Sequence, residues 1–173
     1  MKQKEIKKVL VIGSGPAVIG RSAEFDYAGT QALRTLKEEG LETVLINSNP
    51  STAMTDQGLA DQIYLEPLNI DIIKRIIEKE QPDSILPTVG GNPALELGLG
   101  LSMNGFLEEH QVRLLGVSPE IIHSVQDRQS FVEALEKAGV PGVASKVVGT
   151  VQDAAAFAKE AGYPVRVRPA YTL

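Results

Sequence analysis

The chain has 173 residues, 43% of them hydrophobic, which is enough to bury a sizeable core as one domain, or as one domain plus part of a second. Its net charge of −5 provides no broad positive field for a nucleic-acid backbone or an anionic membrane surface, so neither is expected as a partner. The sequence has no cysteine and only two histidines, His110 and His123, which excludes disulfides, thiolate nucleophiles and cysteine-ligated metals and leaves too few ligands for a histidine metal site.

No apolar run approaches the 18 residues of a membrane span, and the first ten residues pass from charges straight into a strand without a signal peptide. A soluble, cytoplasmic protein is the expectation. Lys8–Ile12 is apolar without alternation, the pattern of a strand buried on both faces of a parallel sheet. A glycine-rich junction follows, Gly13-Ser-Gly15-Pro-Ala-Val-Ile-Gly20. It suggests a dinucleotide fingerprint, in which glycines let the backbone approach a pyrophosphate at a helix N-terminus. The spacing departs from that motif, because the third glycine belongs at position 18, which is Val18, and Pro16 constrains the turn. Asn47-Ser-Asn49-Pro50 also stands where an acidic residue would hold the ribose. A tight turn joining strand to helix is the alternative reading.

Glu24 and Asp26 are two apart and do not share a helix face, so helix first-turn charges explain them better than a paired acid and base. Thr30–Glu39 reads as a helix stopped by Gly40, and Thr43–Ile46 and Gln62–Leu65 as strands. Over Ile70–Glu80, Ile72, Ile73, Ile76 and Ile77 form one apolar stripe opposite Lys74, Glu78 and Lys79, which predicts an amphipathic helix. Ser84–Leu86 is the fourth strand. Thr88-Val-Gly-Gly91-Asn92 follows it, either at the ligand-binding edge of an open parallel sheet or simply as a turn and N-cap. A helix over Pro93–Asn104 and a strand over Arg113–Leu115 complete the alternation, which predicts an α/β, doubly wound, mostly parallel sheet.

The pattern changes after residue 126. Arg128–Ala138 reads as a helix stopped by Gly139, Ser145–Val148 as a strand, and Thr150-Val-Gln-Asp153 as a capping box before the helix Ala154–Ala161. A last strand, Val165–Arg168, runs into Pro169-Ala-Tyr-Thr-Leu173 without a cap or polar tail, as a domain cut partway would. Arg128 and Arg168 are the candidate ligand contacts, since a guanidinium offers rigid donors and a permanent charge to phosphate oxygens. Each also has a plain alternative: a solvated residue opening a helix beside Asp127, or a solvent-facing strand position shared with Arg166.

Taken in order, Gly13–Gly20, Ala23-Glu-Phe-Asp-Tyr27, Gly29-Thr-Gln31, Asn47–Pro50, Met54-Thr-Asp56, Glu66-Pro67, Leu86-Pro-Thr-Val-Gly-Gly91, Asp127-Arg128 and Arg168–Leu173 resemble the large chain of carbamoyl-phosphate synthetase. The resemblance covers essentially the whole sequence and is closest to the first of that chain's two homologous halves. It implies a Rossmann-like pre-ATP-grasp domain over residues 1–126, followed by the truncated start of an ATP-grasp domain over 127–173. The implied function is formation of carbamoyl phosphate from bicarbonate, ATP and ammonia supplied by a glutamine-hydrolysing small chain, with this half phosphorylating bicarbonate. ATP and Mg are the implied cofactors. Arg128 and Arg168 match arginines that contact ATP in the family, and the phosphate loop and magnesium ligands are expected beyond residue 173.

Three positions depart from the family pattern: Arg21 in place of Gln, Gly90-Gly-Asn-Pro93 in place of Gly-Gly-Gln-Thr, and Arg166 in place of an apolar residue. Burying Arg166 unpaired would cost several kcal/mol. A catalytically silent interaction module, another ATP-grasp ligase such as a biotin carboxylase relative, and a nicotinamide oxidoreductase are the rival readings.

Overall fold

A computed structural model describes residues 6–18 and 22–169. Gly20, Arg21 and the closing Ala170–Leu173 of the resemblance lie outside the described residues. The chain divides into two compact units, 1–123 and 124–173.

The first unit is built on five strands, β1 (Lys8–Ile12), β2 (Glu42–Ile46), β3 (Gln62–Tyr64), β4 (Ser84–Leu86) and β5 (Arg113–Leu114). All pair in parallel, in the order β3-β2-β1-β4-β5. Strand order therefore reverses between β1 and β4, where connections leave β1 toward one side of the sheet and β4 toward the other. Between the strands run α1 (Ser22–Glu38), a short 3-10 turn (Ala53–Thr55), α2 (Ile70–Glu80), α3 (Gly91–Met103), α4 (Phe106–Glu109) and, after β5, α5 (Pro119–Gln126).

Strand side chains alternate between faces, and that alternation splits the core in two. Val9, Val11 and Leu45 pack with Leu33 of α1 and Met54, while Leu10, Ile12, Val44, Ile46 and Ile85 pack with Ile73, Ile76 and Ile77 of α2 and Leu101 of α3. The non-alternating composition of β1 is thus the mark of a strand covered on both sides. Helix α2 shows how local signals set its limits. The Asn69 side chain accepts the Ile72 amide at 2.9 Å as N-cap, and Gln81 ends the helix in the left-handed region at φ 49°.

Some boundaries differ from the sequence reading. Helix α1 begins at Ser22 rather than Thr30, because tertiary packing overrides the weak propensity of its first turns. The Phe25 ring lies against Gly91, and Gly29 lets Met54 come so close that a Cβ would overlap its sulfur. Helix α3 starts at Gly91, two residues before Pro93; proline fits there because the first-turn amides have no intrahelical acceptor. The 3-10 turn, α4 and α5 are additional elements.

In the second unit, α6 (Arg128–Lys137) forms as expected and α7 (Val151–Ala161) begins three residues before the expected Ala154, directly after its Thr150 cap, with Gly139 at φ 68° after α6. Asp127 caps α6 by accepting the Ser130 amide at 2.8 Å, and Thr150 caps α7 by accepting the Asp153 amide at 3.1 Å. The predicted strands Ser145–Val148 and Val165–Arg168 are not strands here. A strand needs a neighbour's amides and carbonyls, and none pairs with either segment among the described residues. Arg166 is exposed, so the cost of burying its charge does not arise in this structure.

Candidate functional site

Two sets of residues compete for a ligand: the loops at the C-terminal edge of the sheet and the arginines of the second unit. At the sheet edge, β1 ends in Gly13 and β2 in Asn47, with Gly13 N–H donating to the Ile46 carbonyl at 2.8 Å and Asn47 N–H to the Tyr64 carbonyl at 3.0 Å. The Asn47 side chain is fully buried. Its Oδ1 accepts the Gly15 amide at 3.0 Å and the Asn49 amide at 3.4 Å. The next residues are similarly self-bonded: Asn49 Oδ1 accepts from Ser51 N–H, Thr52 Oγ1 accepts from Met54 N–H, and the Thr55 hydroxyl donates to the Thr52 carbonyl.

Across the reversal of strand order, Gly90 sits directly on the end of β1. A Cβ there would collide with the Gly13 and Ile12 carbonyl oxygens. Since φ at Gly90 is −101°, an ordinary value for any residue, the requirement for glycine is steric. Thr88–Gly90 is a turn closed by Gly90 N–H donating to the Pro87 carbonyl at 3.2 Å, and Gly91 and Asn92 already belong to α3. Open parallel sheets bind ligands in the crevice at this location; here the Gly90 backbone and the Asn47 side chain both lie against Gly13. Val18, at the third position of the would-be fingerprint, is exposed at 36%.

Glu24 is exposed in the first turn of α1, and Asp26 is half-buried two residues on. Asp26 Oδ1 and Thr30 Oγ1 are buried without partners. The described residues contain no group of three acidic, histidine or cysteine side chains able to hold a metal ion, so they do not by themselves fit a resident magnesium.

Electrostatic perturbation is concentrated away from this edge. Lys8, at the start of β1, contacts Glu42 at 2.7 Å and Glu80 at 2.8 Å, and the Tyr64 hydroxyl donates to Glu80. The hydrogen bond from Lys8, then that from Tyr64, holds the Glu80 carboxyl below the usual range. Burial works against the Lys8 ammonium, yet Glu42 and Glu80 outweigh it and raise its pKa. Asp61 is lowered by the Thr43 backbone amide first, with Lys37 adding to the effect. These groups tie strands to neighbouring elements at the edge opposite the loops, which is a structural arrangement and not a reactive one.

Arg128 and Arg168 both belong to the second unit. Arg128 is the first residue of α6, immediately after its cap, and is exposed; Arg168 lies in the extended segment that closes the described chain and is also exposed. Two surface cavities of about 380 and 170 Å³ lie in the first unit, lined by residues such as Gln81 and His110 or Tyr64 and Arg75, and neither arginine borders them.

Asn47 is the functional-edge residue whose role the sequence reading missed. The available signal was a polar side chain directly after the three apolar strand residues Val44, Leu45 and Ile46, a position where burial demands a hydrogen-bond partner.

Comparison with known proteins resolves the family. The carbamoyl phosphate synthase preATP-grasp domain matches residues 5–124, and the carbamoyl-phosphate synthase L chain ATP binding domain matches residues 127–173. The carbamoyl phosphate synthase large chain of Agathobacter rectalis is 57% identical over 172 residues, covering 99% of this chain and 16% of that protein. Among solved structures, the biotin carboxylase domain of Hydrogenobacter thermophilus 2-oxoglutarate carboxylase, in complex with MgADP, ADP and bicarbonate, superposes with a TM-score of 0.69 at 23% identity, over 94% of this chain and 34% of that one. A biotin carboxylase domain of a thermophilic 2-oxoglutarate carboxylase bound to bicarbonate gives 0.62 at 26% identity, over 92% and 34%. The chain spans about a sixth of the curated relative's length. On the match over 5–124, supported across its full span by that relative, the chain belongs to the carbamoyl phosphate synthase large-chain family.

Proposed function

We propose that this sequence serves as the opening part of a carbamoyl phosphate synthase large chain, with residues 1–126 acting as the pre-ATP-grasp domain and 127–173 as the first part of the ATP-grasp domain that phosphorylates bicarbonate. The observation that carries this reading is the direct succession of the two family matches, the second being an ATP-binding domain that begins at Asp127. The bicarbonate-bound biotin carboxylase relative at 26% identity supports bicarbonate as the acceptor.

In this reading a bicarbonate oxygen attacks the γ-phosphorus of ATP and ADP leaves. Ammonia from a glutamine-hydrolysing small chain then displaces phosphate from the carboxyphosphate, and a second phosphorylation in the other half of the large chain completes carbamoyl phosphate. Arg128 and Arg168 contact the ATP and offset negative charge on its phosphate oxygens, the preorganised electrostatic help on which phosphoryl transfer depends. The Asp127 cap fixes the helix start from which Arg128 projects. Magnesium, when bound with ATP, neutralises phosphate charge; the described residues include no cluster for it, and no step is assigned to it. The reaction takes place in the cytoplasm. The 173-residue chain alone makes no carbamoyl phosphate, because its contacts do not enclose a nucleotide.

The test uses the Agathobacter rectalis large chain with this sequence in place of its matching segment. Arg128→Ala and Arg168→Ala should each lower bicarbonate-dependent ATP cleavage by about two orders of magnitude or more. Unchanged turnover in either variant would remove that arginine from the reading.

A further inference from the structure

We infer that Asn47 is an internal substitute for an anion: its side-chain oxygen holds the backbone amide that a glycine-rich strand-to-helix turn otherwise offers to a phosphate, and so keeps the crevice of the sheet closed to nucleotides. Turns of this type bind phosphate because their amides converge where no side chain intervenes. In this chain the Gly15 amide is already engaged. Asn47 Oδ1 lies 3.0 Å from the Gly15 amide, and the side chain fills the space that the missing Cβ of Gly13 leaves, since a Cβ there would stand 2.8 Å from Asn47 Cγ. The opposite flank is closed independently by Gly90, whose backbone rests on the Gly13 and Ile12 carbonyls.

The chemistry explains why asparagine fits here. An amide oxygen accepts the Gly15 N–H much as a phosphate oxygen would, but brings no charge into a site sealed from water. Aspartate would keep both acceptor contacts at the cost of desolvating a carboxylate. Asparagine carries a different burden: Asn47 Nδ2 is buried and has no acceptor. An unmet donor is destabilising, a cost set against the acceptor contacts that Asn47 Oδ1 makes with the Gly15 and Asn49 amides.

The experiment is a phosphate titration of the 15N-labelled chain, following the Gly13 and Gly15 amide resonances, paired with hydrogen exchange at the same amides. In the unsubstituted protein the Gly15 amide should be protected and neither resonance should respond to inorganic phosphate. In Asn47→Ala, Gly15 exchange should accelerate roughly tenfold or more, and both resonances should shift saturably with phosphate. Asn47→Asp should keep Gly15 protected and remain unresponsive. Saturable phosphate shifts in the unsubstituted protein or in Asn47→Asp would overturn the inference. So would an Asn47→Ala protein whose Gly15 amide is freed but ignores phosphate. Should Asn47→Ala not fold, Asn47→Gly takes its place, with the same expected and overturning results.

Discussion

The two units of this chain treat the same kind of residue in opposite ways. In the first, every residue of β1 and β2 after the opening one is fully buried, the threonine of β2 included. In the second, Val143 is 93% exposed and Val167 82%, and Ala158 is its only buried apolar residue among those described. Helices form in both, because a helix closes its hydrogen bonds within itself and takes its limits from nearby caps. Strands form only in the first. A parallel strand depends on a partner brought back by a crossover, and Ser145–Val148 and Val165–Arg168 have none among the described residues, whatever their β propensity.

The sharpest way to break this contrast is to truncate one apolar side chain in each unit. Leu10→Ala, at the centre of the sheet, should cost about 3 kcal/mol by denaturant unfolding, while Val167→Ala should change stability by less than about 0.5 kcal/mol. Comparable costs would mean that the second unit has a packed core not evident here.

The Glu80 cluster sets the next-largest effect. Because Glu80 and Asp61 are held below the ordinary carboxylate range, their contribution is fully present above about pH 4.3 and is lost as pH falls through the lowered values. Lys8 is raised, so its contribution is complete below about pH 10.4 and disappears only as pH rises through its folded value. Glu80→Gln should cost about 1.5 kcal/mol at neutral pH and flatten the acid limb of a stability profile. An unchanged acid limb would show that Glu80 is not the group responsible.

A smaller and more local effect than that of Glu80 belongs to the cap of α6. Asp127→Ala should lower stability by about 1 kcal/mol, seen as local loss of amide protection at the start of α6 and not in the sheet. Loss of protection across the sheet as well would mean the two units unfold together.

What could be read from the sequence follows the same division. The five strands of the sheet, their parallel arrangement and the stops at Gly40 and Gly139 were legible because burial periodicity and glycine punctuation are written locally. The early start of α1 was not, since it depends on Phe25 meeting Gly91 and Gly29 meeting Met54, contacts between residues 25 or more apart in sequence. At the glycine-rich turn, the departure from the dinucleotide spacing at Val18 was legible locally. The bond that Asn47 makes to the Gly15 amide was not, since the two residues lie thirty-two positions apart. Arg128 and Arg168 acquired meaning only through the family pattern, as nothing in their spacing distinguishes them from solvated arginines.

The central claim is that nucleotide belongs to the second unit and not to the glycine-rich turn of the first. The most direct measurement is photolabelling of the Agathobacter rectalis large chain carrying this sequence with an azido-ATP, followed by peptide mapping within the grafted segment. The account predicts label on peptides from residues 127–173 and none on those containing Gly13–Val18; label concentrated on the Gly13–Val18 peptide would contradict it.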